Sequence, residues 1–335
     1  MKLLIRIVKL IALAGLLGIV LAGGGALWWL YQPLSLRTPT VEASVEPGTT
    51  SRDIALLWVQ AGVDTPGILL YEWFRWSGQA RRIRAGSYEI ERGITPRGLL
   101  DKMVRGDETL ETVRFIEGWT FRQVREALAR APHLKPATAQ MSEAQIAAAL
   151  GAEVPYVEGA VFPDTYAYSR GVSDLTVLKR AHAAMRAKLA AAWATRVPGL
   201  PLDNPQQLLT LASVVEKETG SAADRGLIAG VFVNRLRAGM PLQSDPTVIF
   251  GLGRQFDGNL RRSHLQDDNP WNTYTRRGLP PTPIAMPGLA SLRAATQPEP
   301  TRALYFVARG DGHSVFSETL ADHNRAVNQY QRGQR

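Results

Sequence analysis

The hydrophobic pattern of this chain opens with a long unbroken run and only later settles into short amphipathic periods. Leu10 to Tyr31 is a stretch of 22 residues without a charge, closing on Leu27-Trp28-Trp29-Leu30-Tyr31. That length spans a bilayer core, and Trp and Tyr suit its far interface. Lys2, Arg6 and Lys9 precede the run with no acid among them, which predicts a cytoplasmic tail over 1–9 and an outward-facing remainder. The alternative is a cleaved signal peptide, for which Leu21-Ala22-Gly23-Gly24-Gly25-Ala26 offers small residues. The length and bulky aromatic exit favour a retained anchor over 10–31. No later stretch is long and apolar enough for a second span.

After a Pro-containing linker (32–40) the period shortens to strand-then-helix units. Val45-Glu46-Pro47-Gly48-Thr49-Thr50 leads into apolar-periodic Ile54 to Val59, closed by Gly62. Arg84 to Ile90 reads as a strand, followed by Thr95 as N-cap, Pro96 at the first helical position and a helix over Gly98 to Val104. Phe115-Ile116-Glu117-Gly118-Trp119-Thr120 leads into Val124 to Leu128 in the same way. These predict small α+β modules, either for binding or as plain scaffold. Residues 137–200 are Ala-rich and helical in pattern, interrupted by Glu158-Gly159-Ala160-Val161-Phe162-Pro163-Asp164-Thr165-Tyr166. That block is too specific in aromatic, Pro and acidic content for a random loop.

A further helix is predicted from Gln206 to about Glu218, with Asn204 as N-cap, Pro205 at N1 and Gly220 ending it. At about 100° per residue, Leu208, Leu211, Ala212, Val214 and Val215 form a broad apolar arc. Lys217 lies opposite, and Glu216 and Glu218 flank the arc on its two edges. A carboxylate at the C-terminal end of a buried helix is desolvated and feels the negative end of the dipole. Both effects raise its pKa toward what a general acid needs at neutral pH. Spacing alone leaves a second reading open, in which both glutamates are surface residues and one pairs with Lys217 or Arg225. A second helix follows over Gly226 to Arg237. Downstream, Leu242 to Val248, Asn269 to Thr275 and Gly278 to Ile284 alternate amides, hydroxyls and rings, predicted as loops. Such a lining suits a sugar: polar groups bond its edge and aromatic faces pack on its CH face.

Composition narrows the classes. With no cysteine, disulfides, zinc–thiolate sites and thiol catalysis are excluded. The net charge of +9 suits an anionic partner such as lipid headgroups or cell wall. Nucleic acid is the poorer choice, because no run of five or six like charges and no aromatic-interleaved basic segment exists. The five histidines (His133, His182, His264, His313, His323) never reach metal-ligand spacing. No Gly-x-Ser-x-Gly elbow, Ser-x-x-Lys pair or Walker loop is present. No metal or cofactor is expected.

Five ordered blocks carry a resemblance. Leu211-Ala212-Ser213-Val214-Val215-Glu216-Lys217-Glu218, Val231-Phe232-Val233-Asn234-Arg235-Leu236, Leu242-Gln243-Ser244-Asp245-Pro246-Thr247, Asn272-Thr273-Tyr274 and Gly278-Leu279-Pro280-Pro281 resemble the MltG (YceG-like) endolytic murein transglycosylases. The Glu158–Tyr166 and Glu117-Gly118-Trp119-Thr120 blocks, and the plan of one span followed by LysM-like units, match that family too. The resemblance implies an α+β chain: a single transmembrane helix, LysM-like modules over 41–135, and a lysozyme-like mixed catalytic domain over 136–335. It implies an inner-membrane protein with its catalytic part in the periplasm. The implied substrate is the peptidoglycan glycan strand, with synthases or division proteins as partners. The implied reaction cleaves the bond between N-acetylmuramic acid and N-acetylglucosamine without water, leaving a 1,6-anhydro end.

One carboxyl does both proton transfers in that chemistry, so no second acid is needed, unlike most glycosidases. In lysozyme-like transglycosylases the catalytic Glu closes a helix and precedes a small hydroxyl residue. Glu218-Thr219 fits this and Glu216-Lys217 does not, so Glu218 is the expected catalyst and Glu216 a supporting residue. Glu216, Asn234, Gln243, Ser244, Asp245, Asn272, Thr273 and Tyr274 are the candidates for the saccharide groove. Two other readings are an anchored, non-catalytic peptidoglycan-binding protein and a hydrolytic muramidase.

Overall fold

The computed structural model of the chain describes residues 2–218 and 221–332. Thr219 and Gly220, expected to follow Glu218 and end its helix, lie outside the described residues. The uncharged run forms one helix, α1 (Lys2–Leu30). Among the described residues it is the one helix long and apolar enough to cross a membrane, by length and composition. The chain divides into two compact units, residues 1–111 with 167–171, and residues 112–166 with 172–335.

In the first unit, β1 (Thr40–Val45) is followed by α2 (Ser51–Ala61), α3 (Gly67–Trp76), β2 (Gly86–Glu91) and α4 (Pro96–Arg105). The two strands pair antiparallel, from Thr40 opposite Glu91 to Val45 opposite Gly86. Val41, Ala43 and Val45 face inward by the period of two. The caps are those the sequence announces. Thr50 Oγ1 accepts from Asp53 N (3.3 Å) and Thr95 Oγ1 from Gly98 N (3.0 Å), with Pro96 in the first turn. The helix α3 has no counterpart in the pattern reading, because its ten residues are mostly apolar with no clear period. The core gathers Trp58, Leu70, Phe74, Tyr88, Leu99 and Met103, and the Trp58 indole N–H points at Met103 Sδ (3.3 Å).

Next come β3 (Leu110–Arg114), α5 (Phe121–Arg130), α6 (Glu143–Leu150), β4 (Thr165–Ser169) and α7 (Asp174–Ala194). β3 and β4 pair as a two-stranded sheet, and the division between units falls inside both strands. Within the second unit, the segment from Phe115 to Lys135 bonds back to residues 164 and 172. Phe115 N donates to Asp164 O (2.9 Å) and Lys135 N to Val172 O (2.9 Å).

The second unit is organised on α8 (Pro205–Glu218). Asn204 Oδ1 accepts from Gln207 N (2.9 Å), the expected N-cap. Leu208 to Val215 are all buried, so the helix is enclosed all round rather than along one arc. Its two polar residues in that stretch are satisfied internally. Thr210 Oγ1 donates to Gln206 O (3.0 Å), and Ser213 Oγ donates to Thr210 O (2.7 Å) while accepting from Ile284 N (3.0 Å). Around it pack α7, α9 (Arg225–Arg237), α10 (Asp245–Leu252) and α12 (Leu289–Thr296). The remainder is α11 (Arg262–Gln266), the β5–β6 hairpin (Tyr305–Ala308, Ser314–Ser317) and α13 (Leu320–Val327).

The stretch from Asp245 to Val248, expected as loop, is instead the first turn of α10. Ser244 at its N-cap with Pro246 inside the first turn is a helix-start signature that the nearby glycines obscure.

Candidate active site

The C-terminal end of α8 carries two glutamates two residues apart, which points them to opposite sides of the helix. Each side has its own surroundings.

On one side, Glu218 Oε2 accepts a hydrogen bond from Ser244 Oγ (2.8 Å). The residue remains partly accessible, yet its carboxyl is poorly hydrated. Burial pushes its pKa up to about 7, and the nearby charge of Asp245 adds to this, while the Ser244 hydroxyl and Arg235 oppose it. Ser244 is fully buried and is itself fixed from three directions. Its N–H donates to Thr273 Oγ1 (3.1 Å), its carbonyl accepts from Thr247 Oγ1 (2.7 Å), and the two threonine hydroxyls bond each other (2.8 Å). Gln243, immediately before it, sits at φ +51°, a left-handed conformation uncommon outside glycine. Its N–H donates to Thr273 O (3.0 Å).

Arg235 on α9 is buried and spans several elements. Its Nε donates to Leu304 O (2.7 Å), and its Nη1 reaches Leu242 O (2.7 Å) and Gln243 Oε1 (3.3 Å). The guanidinium lies over the Tyr305 ring, 5.3 Å from its centroid. Beyond it, the Tyr274 hydroxyl donates to Asp245 Oδ1 (2.6 Å), and burial, with Asp245 as acceptor, holds the phenol well above its ordinary pKa.

On the other side, Glu216 Oε2 accepts from Gly288 N (2.9 Å) at the start of α12. The Glu117 carboxylate also closes on Gly288, and a Cβ there would push that carboxylate aside. Burial and the charge of Glu216 raise the Glu117 pKa, with Arg225 opposing. Lys217 Nζ donates to Gly118 O (3.2 Å). Gly118 N donates to Met286 O (2.9 Å) and Met286 N to Trp119 O (2.7 Å). This ladder ties the Glu117–Trp119 turn to the segment after Gly278-Leu279-Pro280-Pro281.

The structure thus brings Glu218, Gln243, Ser244, Asp245, Thr273 and Tyr274 into one connected group and places Glu216 across the helix from it. Asn234 and Asn272 use their amide donors on backbone carbonyls. Asn234 Nδ2 bonds Thr301 O (2.9 Å) and Ala303 O (3.1 Å), and Asn272 Nδ2 bonds Asp267 O (2.6 Å). Arg235, Thr247 and Glu117 take part without having been singled out, although all three lie within the quoted blocks. The Glu158 block also has a structural duty. Both Glu158 oxygens accept from Phe121 N (3.1 and 3.0 Å) at the start of α5, and burial raises that carboxyl to about 8. A cavity of about 560 Å³ lined by Glu153, His182, Arg186, Asn204 and Gln206 sits at the N-terminal end of α8. It lies one helix length, about 20 Å, from Glu218. Among the described residues no three His, Asp or Glu side chains converge as metal ligands would.

A poorly hydrated, Ser-held carboxyl raised toward neutrality at the end of an enclosed helix has the chemistry to give and take a proton near neutral pH. The model of the YceG-like family matches residues 43–329, and the chain belongs to that family. Among curated relatives, an endolytic murein transglycosylase of Bacillus subtilis is 30% identical over 308 residues, covering 87% of this chain and 85% of that protein. An endolytic murein transglycosylase of Streptococcus pneumoniae is 26% identical over 321 residues, 86% of this chain and 58% of that protein. The crystal structure of a YceG-like protein from Listeria monocytogenes matches with a TM-score of 0.57 at 27% identity, covering 87% of this chain and 99% of that one.

Proposed function

We propose that the chain is an endolytic murein transglycosylase, with Glu218 as its single acid–base catalyst. The observation that carries this reading is the Glu218 carboxyl itself: poorly hydrated, raised to about 7, and oriented by Ser244. Protonated Glu218 donates to the glycosidic oxygen between N-acetylmuramic acid and N-acetylglucosamine as the C1–O bond breaks. The resulting carboxylate accepts the proton of the muramic acid 6-hydroxyl as that oxygen bonds C1. A 1,6-anhydro end forms, Glu218 regains its proton, and no water is consumed. Ser244 and Arg235 stabilise the transient carboxylate, so the group passes between charge states at little cost. Gln243, Asp245 and Tyr274 border the acid and form the nearest wall of the proposed saccharide groove. Glu216 supports the site by fixing the start of α12.

The β1–α2–α3–β2 order of the first unit supports reading it as a LysM-like, glycan-holding module. The second unit is the proposed lysozyme-like catalytic domain. With α1 as an inner-membrane anchor and the rest in the periplasm, cutting takes place close to the membrane, where nascent strands and their synthases are found.

Digestion of purified sacculi with the full chain, read by mass spectrometry, tests the activity. Muropeptides with 1,6-anhydro ends are expected. Reducing ends would make the enzyme a hydrolytic muramidase, and no release at all would leave a wall-binding protein.

A further inference from the structure

The first unit leaves an apolar face bare. On α3, Leu70 and Phe74 point into the core, while Ile68, Leu69 and Trp76 lie on the outer side with 60%, 45% and 77% of their surface exposed. The Trp76 indole N–H is satisfied by Glu72 Oε2 (2.9 Å), so the ring presents an apolar body to the outside. Contiguous bare apolar surface of this kind marks an interaction site rather than ordinary exposure.

Its position says what covers it. A cavity of about 560 Å³ is shared between α1 and α3, lined by Leu27, Trp29 and Leu30 from one and Leu69, Trp73 and Trp76 from the other. The end of α1 is fixed to the same unit. Trp29 packs on its core, and Tyr31 accepts a hydrogen bond from Arg97 Nη1 on α4 (2.6 Å), with the guanidinium over its ring. A span of about 20 residues crosses the hydrocarbon, so the aromatic end of α1 marks the outer interface, and α3 runs beside that end. The exposed cations include Arg75 on α3 itself, Arg81 and Arg82 shortly after it in the chain, and Arg97 over the Tyr31 ring at the end of α1, with Glu72 neutralising part of Arg75 (3.5 Å). Indole rings flanked by arginines fit a bilayer surface carrying anionic headgroups.

We propose that the outer face of α3 is a second membrane contact, sunk into the interfacial layer beside α1 and holding the first unit against the bilayer. This rests on reading α1 as a membrane span. The contact restrains how far this unit swings from the membrane, which a single helix alone does not.

The absence of cysteine permits single-site labelling of the full chain. Leu17→Cys on α1, Ile68→Cys and Trp76→Cys on α3, and Arg52→Cys on α2 are each labelled with an environment-sensitive fluorophore. The proteins are reconstituted in vesicles of phosphatidylethanolamine and phosphatidylglycerol containing brominated lipids. Position 17 is expected to be quenched by deep bromines, positions 68 and 76 by shallow ones, and position 52 by neither. Quenching at 17 with 68 and 76 reporting water overturns the α3 contact while leaving the anchor intact. A blue-shifted but unquenched signal at 68 and 76 means a protein covers the face, and also overturns it. Position 17 in water overturns the anchor reading and the α3 contact with it.

Discussion

Glu216 and Glu218 share a helix end, a dipole and nearly the same chain position, yet their two sides of α8 are built for different work. The Glu216 side ties backbone together. Its carboxylate holds Gly288 N, its neighbour Lys217 holds Gly118 O, and Glu117 fills the rest. The Glu218 side gathers hydroxyl side chains that bond one another around one carboxyl that retains access to the exterior. The lesson is that the dipole is common to both residues and does not choose between them. What distinguishes Glu218 is burial combined with a hydroxyl donor, against a carboxylate that is committed to a peptide N–H.

The comparison breaks most sharply under charge removal. Glu218→Gln is expected to lower release of anhydro muropeptides by about 10²–10⁴-fold with an unchanged circular dichroism spectrum, the range for loss of a general acid–base group. Glu216→Gln keeps one oxygen for Gly288 N and is expected to stay within about threefold of wild type, by the same assay and the same reasoning on hydrogen-bond retention.

Smaller effects sharpen the account of how the Glu218 side is tuned. The Ser244 hydroxyl favours the ionised form, so Ser244→Ala is expected to raise the Glu218 pKa and move the alkaline limb of the rate profile upward. Turnover is expected to fall about tenfold as the carboxyl loses its orientation. Asp245→Asn removes a neighbouring negative charge and moves the same limb downward, because the carboxylate then forms more readily. Opposite displacements of the two variants are the expected signature, and displacements in one direction would contradict it.

A last effect concerns stability and leaves the chemistry at Glu218 aside. Glu158 and Glu218 both sit above the ordinary carboxylate range, at about 8 and about 7. The unfolded chain ionises first, so stability is fullest below about pH 4.5 as far as these groups are concerned. It declines as pH rises through the folded values. Glu158→Gln is expected to flatten that decline between about pH 5 and 8, measured as urea unfolding midpoints.

Much of this was legible in the residues. Thr50, Thr95 and Asn204 cap the helices that follow them, because a hydroxyl or amide before an apolar run has few other uses. The place of Glu218 at the end of an enclosed helix was legible too. The backbone partners of the amides were not. Asn234 and Asn272 read as candidates for a saccharide groove, and the structure shows their amide donors on the backbone carbonyls of Thr301 and Asp267, contacts that no local spacing announces. Arg235 was equally silent. Its contacts come from residues 304 and 241–243, and no local spacing encodes a partner nearly 70 positions away. The bare face of α3 escaped because an apolar helix reads as core until its neighbours are in place.

The account turns on the protonation of one group. Titration of ¹³C-labelled glutamate carboxyls by NMR, with Glu218→Gln used to assign the resonance, measures it directly. A midpoint for Glu218 near 7 is the predicted result. A midpoint in the ordinary carboxylate range, near 4.5, would mean a residue already ionised at neutral pH and unable to give the leaving group its proton.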